Sequence, residues 1–485
     1  MNAAFWVVLI ALGFRLVFAG CTGLGIDESY MIAASHSFDA SYFDHPLASW
    51  WLELAARAVT GSAAPIMVRL PFVALSALSS WLIYAITARL FAARAAFWAV
   101  AAYSISPVFS LAFGCWVLPD GPLDAALLAF LYALIRALGL PSAKPEPRWW
   151  LAAGVFAGLA LLSKYNAAMV LAGAALAVLT DKAARQELRR PGPWVAVAVA
   201  VLMFTPVLYW NTTHGWASFH YQGGRATGVR LRPLMPLSIW GGEALFLLPW
   251  LWLPMVWLML RAFARGPVER RGWLLAWAAV IPVVLFAVVG LWSSTRILYH
   301  WATPGYLMLF PLLGNWAQDF RPRLRDNVAL ISAGLLGTAA LCITAELSLG
   351  FIPNLDRTFA PGKSPLLQVV DWDSIATQIP PGVDAVAAQK WFDAGKIGYA
   401  LRDEHLPVTV FGPEPHQFAF SAPPSSLLGK NILVIAMPGS TSATAAKFAG
   451  DFKSFVPGPA LTEMHRGDVL LVIPTFIGTD LIKAP

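Results

Sequence analysis

Two acidic stretches early in the chain carry residues that could do chemistry. Asp27 and Glu28 follow the first long apolar run directly, and Asp44 and His45 come later in the same polar segment. A carboxylate at the low-dielectric edge of an apolar segment is suited to remove a proton from a hydroxyl, which is general-base catalysis. From residue types alone the alternative is that Asp27 and Glu28 only cap a helix after Gly25, where anions are favoured.

A second set of residues could bind an anion. It comprises Lys164 with its neighbour Tyr165, Arg225, and the closely spaced Arg296 and His300. Arginine grips a phosphate with two parallel hydrogen bonds, whereas lysine acts as a point charge. For Lys164 the alternative is a side chain that only reaches towards water from an apolar segment.

Three further charged residues lie within or at the ends of apolar runs. Asp120 and Asp124 are one helical turn apart on one face, where they could help to hold a sugar, although capping by Asp120 is the alternative. Arg15 lies inside the first run, where it could pair with a buried acid or extend to the interface.

The elements that must position these residues are long and apolar. The chain has 485 residues, of which 58% are apolar and only 13% charged, about half the usual charged fraction. The mean hydropathy is +0.63, which excludes a disordered chain. Most of the runs are long enough to cross a membrane, which takes about 20 helical residues. They cover residues 4–20, 66–87, 95–112, 122–138, 149–162, 166–180, 193–209, 236–260, 273–291, 302–317 and 327–349.

The net charge of +7 is a topology signal. Residues 1–350 hold 24 Lys/Arg against 15 Asp/Glu, whereas residues 351–485 hold 10 against 12. A nucleic-acid-binding protein would gather its cations on one soluble face, but here they lie in short loops between apolar runs. Fifteen cations fall in one alternating set of loops and six in the other, so the positive-inside rule places the first set in the cytoplasm. All eight histidines then lie on the outer face.

These patterns predict a polytopic α-helical membrane protein with about eleven transmembrane helices. Residues 1–350 form the membrane domain, with a first periplasmic loop over 21–65 that carries partly buried helices around 28–38 and 47–59. The runs 149–162 and 166–180 are short, and are either two tight spans or one re-entrant hairpin. Residues 351–485 form a periplasmic α/β domain, with strands near 408–411, 431–437 and 468–476 and a helix near 442–454.

Five segments in order along the chain resemble one family. An acidic pair after the first span precedes YFDHP, and LLSKYNAAMVL, PVLYWNTTHGWASFHYQ, RILYHWATPGYL and WFDAGKIGYAL follow. Together they resemble bacterial membrane glycosyltransferases of the GT-C superfamily, in the group related to protein O-mannosyltransferases and to the lipid A aminoarabinose transferase. The resemblance implies transfer of a sugar from a polyprenyl-phosphate carrier to an acceptor on the outer face, with inversion.

The resemblance also implies roles for the candidate residues. Asp27 is the expected catalytic base, and Glu28 would orient the acceptor or a metal. The donor phosphate and sugar are expected on the outer-face set of Asp44, His45, Lys164, Tyr165, Arg225, Arg296 and His300. His45 precedes Pro46 and Leu47, where relatives carry a second proline, and this puts its phosphate role in doubt. No cofactor is indicated with certainty, but a divalent cation could bind Asp27, Glu28, Asp44 and His45 through hard oxygen ligands.

The expected protein is thus a transferase of the bacterial inner membrane, with its active site and C-terminal domain in the periplasm. Its partners would be a polyprenyl-phosphate sugar donor, membrane lipids and an envelope acceptor, which could be lipid A or lipopolysaccharide, another glycan or lipid, or a protein. A transporter or flippase for a lipid-linked sugar is the main alternative, although transporters often carry internal repeats and none is found here. A structural scaffold would not need histidines and carboxylates on one face.

Overall fold

We analysed a computed structural model that describes residues 3–141, 144–350, 352, 359, 362–465 and 467–485. Its membrane part is helical throughout. The helices are α1 Ala3–Cys21, α2 Ile26–Ala34, α3 Ala48–Thr60, α4 Pro65–Leu90, α5 Ala93–Ile105, α6 Phe113–Cys115, α7 Asp120–Ala137, α8 Trp149–Ser163, α9 Ala167–Thr180, α10 Lys182–Arg185, α11 Pro191–Thr213, α12 Ala217–Gly224, α13 Met235–Leu247, α14 Pro249–Arg265, α15 Arg270–Gly290, α16 Thr303–Leu307, α17 Phe310–Ala317 and α18 Pro322–Leu349. Every apolar run in the sequence therefore corresponds to helix, because only helical backbone satisfies its own hydrogen bonds away from water.

Two runs that the sequence presents as continuous are sharply bent. The helix over Ala93–Ile105 meets the segment Val108–Cys115 at 82°, with Pro107 at the break. The helix ending at Leu247 meets the next at 116°, where Leu248 has φ of 82° and Pro249 follows. Proline has no backbone N–H and its ring clashes with the preceding turn, so a regular helix cannot continue through it.

The structure identifies five helices long and apolar enough to cross a membrane, or up to eight if each of three bent pairs is one span. This criterion uses length and composition, and it omits shorter apolar helices such as Trp149–Ser163. The chain is therefore a multi-pass membrane protein. The count of eleven spans stays a prediction.

The short pair α8 and α9 packs on different helices. Gly154 and Gly158 of α8 lie against Ala196 and Met203 of α11, with room for no larger side chain at either position. Gly173 of α9 lies instead against the backbone of Trp277 in α15. These separate partners favour two spans over a single re-entrant hairpin.

The predicted loop helices are confirmed. Ile26–Ala34 and Ala48–Thr60 are both helical and lie close to the expected ranges. Arg15, near the middle of α1, is fully buried, and its Nε donates to the carbonyl of Ser110 at 3.1 Å. Its side chain therefore does not extend to an interface.

The C-terminal region is a small α/β structure, as predicted. Its helices are α19 Trp391–Ala400, α20 Phe418–Ser421 and α21 Thr441–Phe448, and its strands are β1 Ala385–Ala388, β2 Val408–Val410, β3 Ile432–Ile435, β4 Phe452–Pro457, β5 Leu461–His465, β6 Asp468–Ile473 and β7 Thr475–Leu481. The main sheet has the order β2-β1-β3-β7-β4, in which β1 pairs parallel with β2 and β3 and the other pairs are antiparallel. The central strands β1 and β3 are buried along their whole length.

One predicted strand, near 468–476, is two strands in different sheets. Residues 468–473 pair with β5 in a separate hairpin, whereas residues 475–481 lie in the main sheet between β3 and β4. Pro474 separates them, since proline cannot donate to a strand ladder. Strands β1, β4 and β5 were not predicted from the sequence.

The described chain divides into two compact units. The helical unit comprises Met1–Val17, Asp39–Ser49 and Leu70–Ala339, and the mixed unit comprises Phe18–Phe38, Trp50–Arg69 and Ala340–Pro485. Segments of the first loop thus belong with the C-terminal region, and α2 packs against α19. The predicted membrane and periplasmic domains, 1–350 and 351–485, remain a proposal about topology, and Phe351 at their boundary lies outside the described residues.

Candidate active site

Asp27 lies in the first turn of α2, in the mixed unit. Gly25 is the N-cap residue, and the Gly25 N–H donates to Glu28 Oε2 at 2.7 Å, which is the one bond of a capping box that needs no N-cap side chain. The Asp27 side chain is exposed while most of α2 is buried. The helix N-terminus favours its negative charge, and exposure leaves the carboxylate accessible to a second molecule.

Glu28 is held by an arginine that the sequence analysis missed. Arg69 Nε lies 2.8 Å from Glu28 Oε1 and Arg69 Nη2 lies 2.6 Å from Glu28 Oε2. Both side chains are essentially fully buried, at 0% and 1% exposure. Two parallel hydrogen bonds from the Arg69 guanidinium hold both oxygens of the Glu28 carboxylate. Glu28 is thereby fixed in place, and it in turn fixes the turn that carries Asp27. The signal was present in the sequence, because a charge inside an apolar run such as 66–87 requires a partner.

Arg69 also organises the backbone before α2. Its Nη1 donates to the carbonyls of Ala19 and Thr22, both at 2.8 Å, and its Nη2 donates to the carbonyl of Gly23 at 2.7 Å. These carbonyls lie at or just beyond the end of α1, where no further helical turn supplies N–H groups to donate to them. One guanidinium therefore fixes the turn between α1 and α2.

The helical unit holds a different cluster, centred on Lys164. Lys164 follows α8, is buried, and donates from Nζ to both carboxylate oxygens of Asp120 at 2.8 Å. Asp120 is the first residue of α7. Because its carboxylate pairs with Lys164, its role goes beyond capping the helix. Asp124, one turn further along α7, is also buried, and among the described residues neither of its carboxylate oxygens has a hydrogen-bond partner.

Two histidines lie within the electrostatic range of this ion pair. Burial lowers the pKa of His45 from 6.5 to about 3, with further lowering by Lys164 and Arg225. Burial likewise lowers the pKa of His300 to about 4, and Lys164 again adds to the effect. Both imidazoles are therefore neutral at pH 7 and act as hydrogen-bonding groups. Neutral His45 contributes no charge to a bound phosphate.

Arg225 and Tyr165 complete the cluster. Arg225 stacks on Tyr221 at 4.3 Å and on Trp301 at 5.2 Å, measured to the ring centroids, and it donates from Nη2 to the Tyr221 hydroxyl at 2.5 Å. The Tyr165 hydroxyl lies 2.7 Å from the Ser218 hydroxyl, and burial raises the pKa of Tyr165. The aromatic stacking fixes the guanidinium plane, which suits it to a bidentate anion.

Asp44 joins the same region through its backbone. Its carbonyl accepts from Gln222 Nε2 at 2.6 Å, and its side chain is buried. The structure thus gathers five other predicted residues around Lys164, namely Asp44, His45, Tyr165, Arg225 and His300. Arg296 is exposed and, within the described ranges, is joined to this cluster by no contact.

The described residues contain no group of three or more His, Cys, Asp or Glu side chains arranged to hold a metal ion. Of the four suggested ligands, Asp27 and Glu28 belong to the mixed unit, whereas Asp44 and His45 belong to the helical unit. Glu28 is also committed to Arg69.

The buried histidines predict acid-sensitive stability. The folded pKa of His45 is about 3 and that of His300 about 4, below the unfolded value of 6.5, so the unfolded chain binds more protons in this window. Stability should therefore be complete above pH 6.5 and fall on acidification by up to about 1.4 kcal/mol per pH unit for each histidine. Thermal unfolding in detergent between pH 7.5 and 4.5 measures this slope. His45→Gln should flatten it and the same change at exposed His405 should not; equal slopes would contradict the assignment.

Comparison with known proteins agrees with this geometry. Residues 44–210 match the family described as dolichyl-phosphate-mannose-protein mannosyltransferase. The lipid A galacturonosyltransferase RgtD of Rhizobium johnstonii is 27% identical over 462 residues, covering 90% of this chain and 92% of that protein. The undecaprenyl phosphate-alpha-4-amino-4-deoxy-L-arabinose arabinosyl transferase 1 of Proteus mirabilis is 23% identical over 332 residues, covering 62% of this chain and 56% of that one.

This protein is a GT-C glycosyltransferase. Its sequence is similar to the O-mannosyltransferase family over residues 44–210 and to an aminoarabinose transferase over 332 residues. The GT-C fold extends over nearly the whole chain, since the crystal structure of ArnT from Cupriavidus metallidurans bound to undecaprenyl phosphate aligns with a TM-score of 0.64 over 98% of both chains at 18% identity. The family match includes Asp44, His45, Asp120, Lys164 and Tyr165 and begins after Asp27.

Proposed function

We propose that this GT-C protein transfers a sugar from a polyprenyl-phosphate donor to lipid A or a related lipopolysaccharide acceptor, at the periplasmic face of the inner membrane. The observation that carries the proposal is the Lys164 cluster, which combines the cations Lys164 and Arg225, the neutral imidazoles of His45 and His300 and the carboxylates of Asp44 and Asp120. Its members Asp44, His45, Asp120 and Lys164 lie in the segment that matches the mannosyltransferase family. A relative over nearly the full length acts on lipid A. Another is named for an undecaprenyl-phosphate-linked donor sugar.

The Lys164 cluster suits a departing phosphate. When the bond between the anomeric carbon and the carrier phosphate breaks, negative charge grows on the phosphate and must be stabilised where it develops. Lys164 has three donors, and Asp120 does not use all of them. Arg225 adds a planar fork held by two aromatic rings, and His45 and His300 can donate hydrogen bonds as neutral groups. Arg296 stays in the proposal as an outer cation that a bound donor would engage.

Asp27 supplies the complementary step. A hydroxyl acceptor is a poor nucleophile until its proton is removed, and the exposed Asp27 carboxylate is placed on a rigid helix N-terminus for that task. Glu28 holds the turn through Arg69. Attack on the anomeric carbon opposite to the leaving phosphate inverts the configuration. The products are the glycosylated acceptor and free polyprenyl phosphate.

Release of the carrier tests the proposal directly. Purified protein in proteoliposomes would receive an undecaprenyl-phosphate-linked sugar and lipid A, and mass spectrometry would follow both lipids. Transfer produces undecaprenyl phosphate and lipid A heavier by one sugar. A flippase, the alternative function, moves the donor across the bilayer but leaves both masses unchanged. Donors carrying a uronic acid or an aminopentose, compared side by side, identify the sugar.

The donor-binding role of Lys164 makes a separate prediction. Lys164→Met keeps the apolar stem but removes the ammonium, so KM for the donor should rise about 10- to 100-fold, the value of one or two hydrogen bonds to a charged group. Lys182→Met, an exposed lysine beyond α9, is the matched control and should leave KM unchanged. The double variant Lys164→Met/Asp120→Asn separates the loss of binding from the effect of an unpaired buried carboxylate. An unchanged donor KM in both Lys164 variants would overturn the role.

A further inference from the structure

The turn that carries Asp27 receives bonds from the C-terminal region as well as from Arg69. The backbone N–H of Leu24 donates to Asp371 Oδ1 at 2.8 Å, and the backbone carbonyl of Leu24 accepts from the Lys396 ammonium. Lys396 also donates to the carbonyl of Val370 at 3.1 Å. Both polar groups of Leu24 are therefore held by side chains more than 340 residues away in sequence.

The C-terminal segments approach the turn before α2, and α2 itself, so closely that a side chain at the contacting glycines would not fit. A Cβ at Gly23 would lie 2.6 Å from the Val369 carbonyl oxygen and 2.8 Å from the Asp371 nitrogen. A Cβ at Gly395, beside Lys396 in α19, would lie 2.7 Å from Cα of Tyr30 in α2. Glycine at both positions lets the C-terminal segments meet the turn and α2 at backbone distance. Because close-packed interiors deform little, a shift of the C-terminal segments would also shift the turn and α2.

Burying the charged side chain of Lys396 costs free energy, and a purely structural contact would not require that charge. Lys396 is 2% exposed, and burial lowers its pKa to about 8, with Asp371 and Glu28 opposing that shift and Arg69 adding to it. The side chain is still protonated at neutral pH. An apolar side chain would fill the same space without the cost of burying a charge. The ammonium therefore serves the polar groups that it binds, which are the carbonyls of Leu24 and Val370.

We propose that Lys396 and Asp371 are positioning residues for the reaction, and that the C-terminal region of this chain sets the place of the Asp27 carboxylate through Leu24. The inference rests on the proposed function, in which Asp27 is the base. Leu24 precedes the N-cap Gly25, so a shift of the Leu24 peptide moves the first turn of α2 and its carboxylate together. A displacement of about 1 Å at a reacting group costs roughly 100-fold in rate.

Lys396→Met tests the inference, with Lys430→Met as the matched control. Lys430 is an exposed lysine of the same region. Transfer in proteoliposomes should show kcat lowered about 10- to 100-fold in Lys396→Met, with the donor KM within twofold of the parent. Lys430→Met should match the parent in both constants. Asp371→Ala should resemble Lys396→Met, whereas Asp371→Asn keeps an acceptor oxygen for the Leu24 N–H and should retain more activity.

A second readout does not depend on activity. Hydrogen exchange of the full chain in nanodiscs should show faster exchange in the peptide covering residues 22–30 for Lys396→Met, with the peptides of α7 and α15 unchanged. Unchanged exchange together with parental kcat would overturn the inference while leaving the transferase function intact. A parent protein that releases no polyprenyl phosphate from any donor would instead overturn the proposed function. A variant whose exchange rises over the whole chain has lost its fold, and Asp371→Asn then decides the question.

Discussion

Asp27→Asn should lower the rate of sugar transfer by about 100- to 10,000-fold, the usual contribution of a positioned general base. Asparagine has nearly the same shape and is also accepted near a helix N-terminus, but its amide cannot take a proton from a hydroxyl. Because the Asp27 side chain is exposed at the start of α2, this nearly isosteric exchange should leave the fold intact. The assay is release of undecaprenyl phosphate from the donor at saturating acceptor.

The matched control is Asp403→Asn, since the Asp403 side chain is 89% exposed in the same unit. It should leave the transfer rate and the unfolding temperature unchanged. Asp27→Asn should share the parental unfolding temperature and donor affinity and differ only in kcat. Full activity in Asp27→Asn would exclude it as the base. Loss of donor affinity instead of kcat would reassign the residue to binding.

The helical structure of the long apolar segments was predictable because it depends on the segment's own residues and not on its neighbours in the fold. A run of about 20 apolar residues has few alternatives to helix inside a membrane, and each of the eleven runs is helical. Breaks inside the runs were harder to foresee. Proline can bend a helix slightly or end it, and Pro206 stands inside the helix over Pro191–Thr213 whereas Pro107 and Pro249 accompany bends of 82° and 116°.

The small sheet was only partly visible in the sequence. The buried strand β3 reads as a continuous apolar run, and β2 is a short one of the same kind. The missed strand β1 is Ala-Val-Ala-Ala, and alanine has a low strand propensity that its central position overrides. The edge strand β4 is exposed over most of its length, and its pairing depends on β7, which comes later in the chain.

In the candidate site, too, the residues themselves were predictable from the sequence, whereas their contact partners were not. Residue types, their expected outer location and the family resemblance predicted one donor-binding group, namely Asp44, His45, Lys164, Tyr165, Arg225, Arg296 and His300. The structure brings all of these residues except Arg296 together. The partners of charged groups were not predictable, because they depend on which helices are neighbours. Lys164 pairs with Asp120 across 44 residues, and Glu28 pairs with Arg69 across 41.

Arg69→Met should cause the largest loss of stability of any single change discussed for this chain. It leaves the Glu28 carboxylate buried without its counter-charge and removes the donors to the carbonyls of Ala19, Thr22 and Gly23. Breaking one side of a buried ion pair costs about 3–5 kcal/mol. Thermal unfolding in detergent, followed by size-exclusion chromatography, measures the loss. Arg148→Met is the matched control, since Arg148 pairs with Glu146 at an exposed position and should shift nothing.

A double variant separates the stranded charge from the lost scaffold. Glu28→Leu/Arg69→Met removes both charges, and an apolar pair in a buried site is often no less stable than the ion pair that it replaces. Its unfolding temperature should therefore lie well above that of Arg69→Met. Its transfer rate should still be low, because the turn before Asp27 has lost the donors that fix its backbone. If the double variant is instead as unstable as Arg69→Met, the carbonyl contacts and not the ion pair hold this turn; if it is fully active, Arg69 and Glu28 have no part in placing the base.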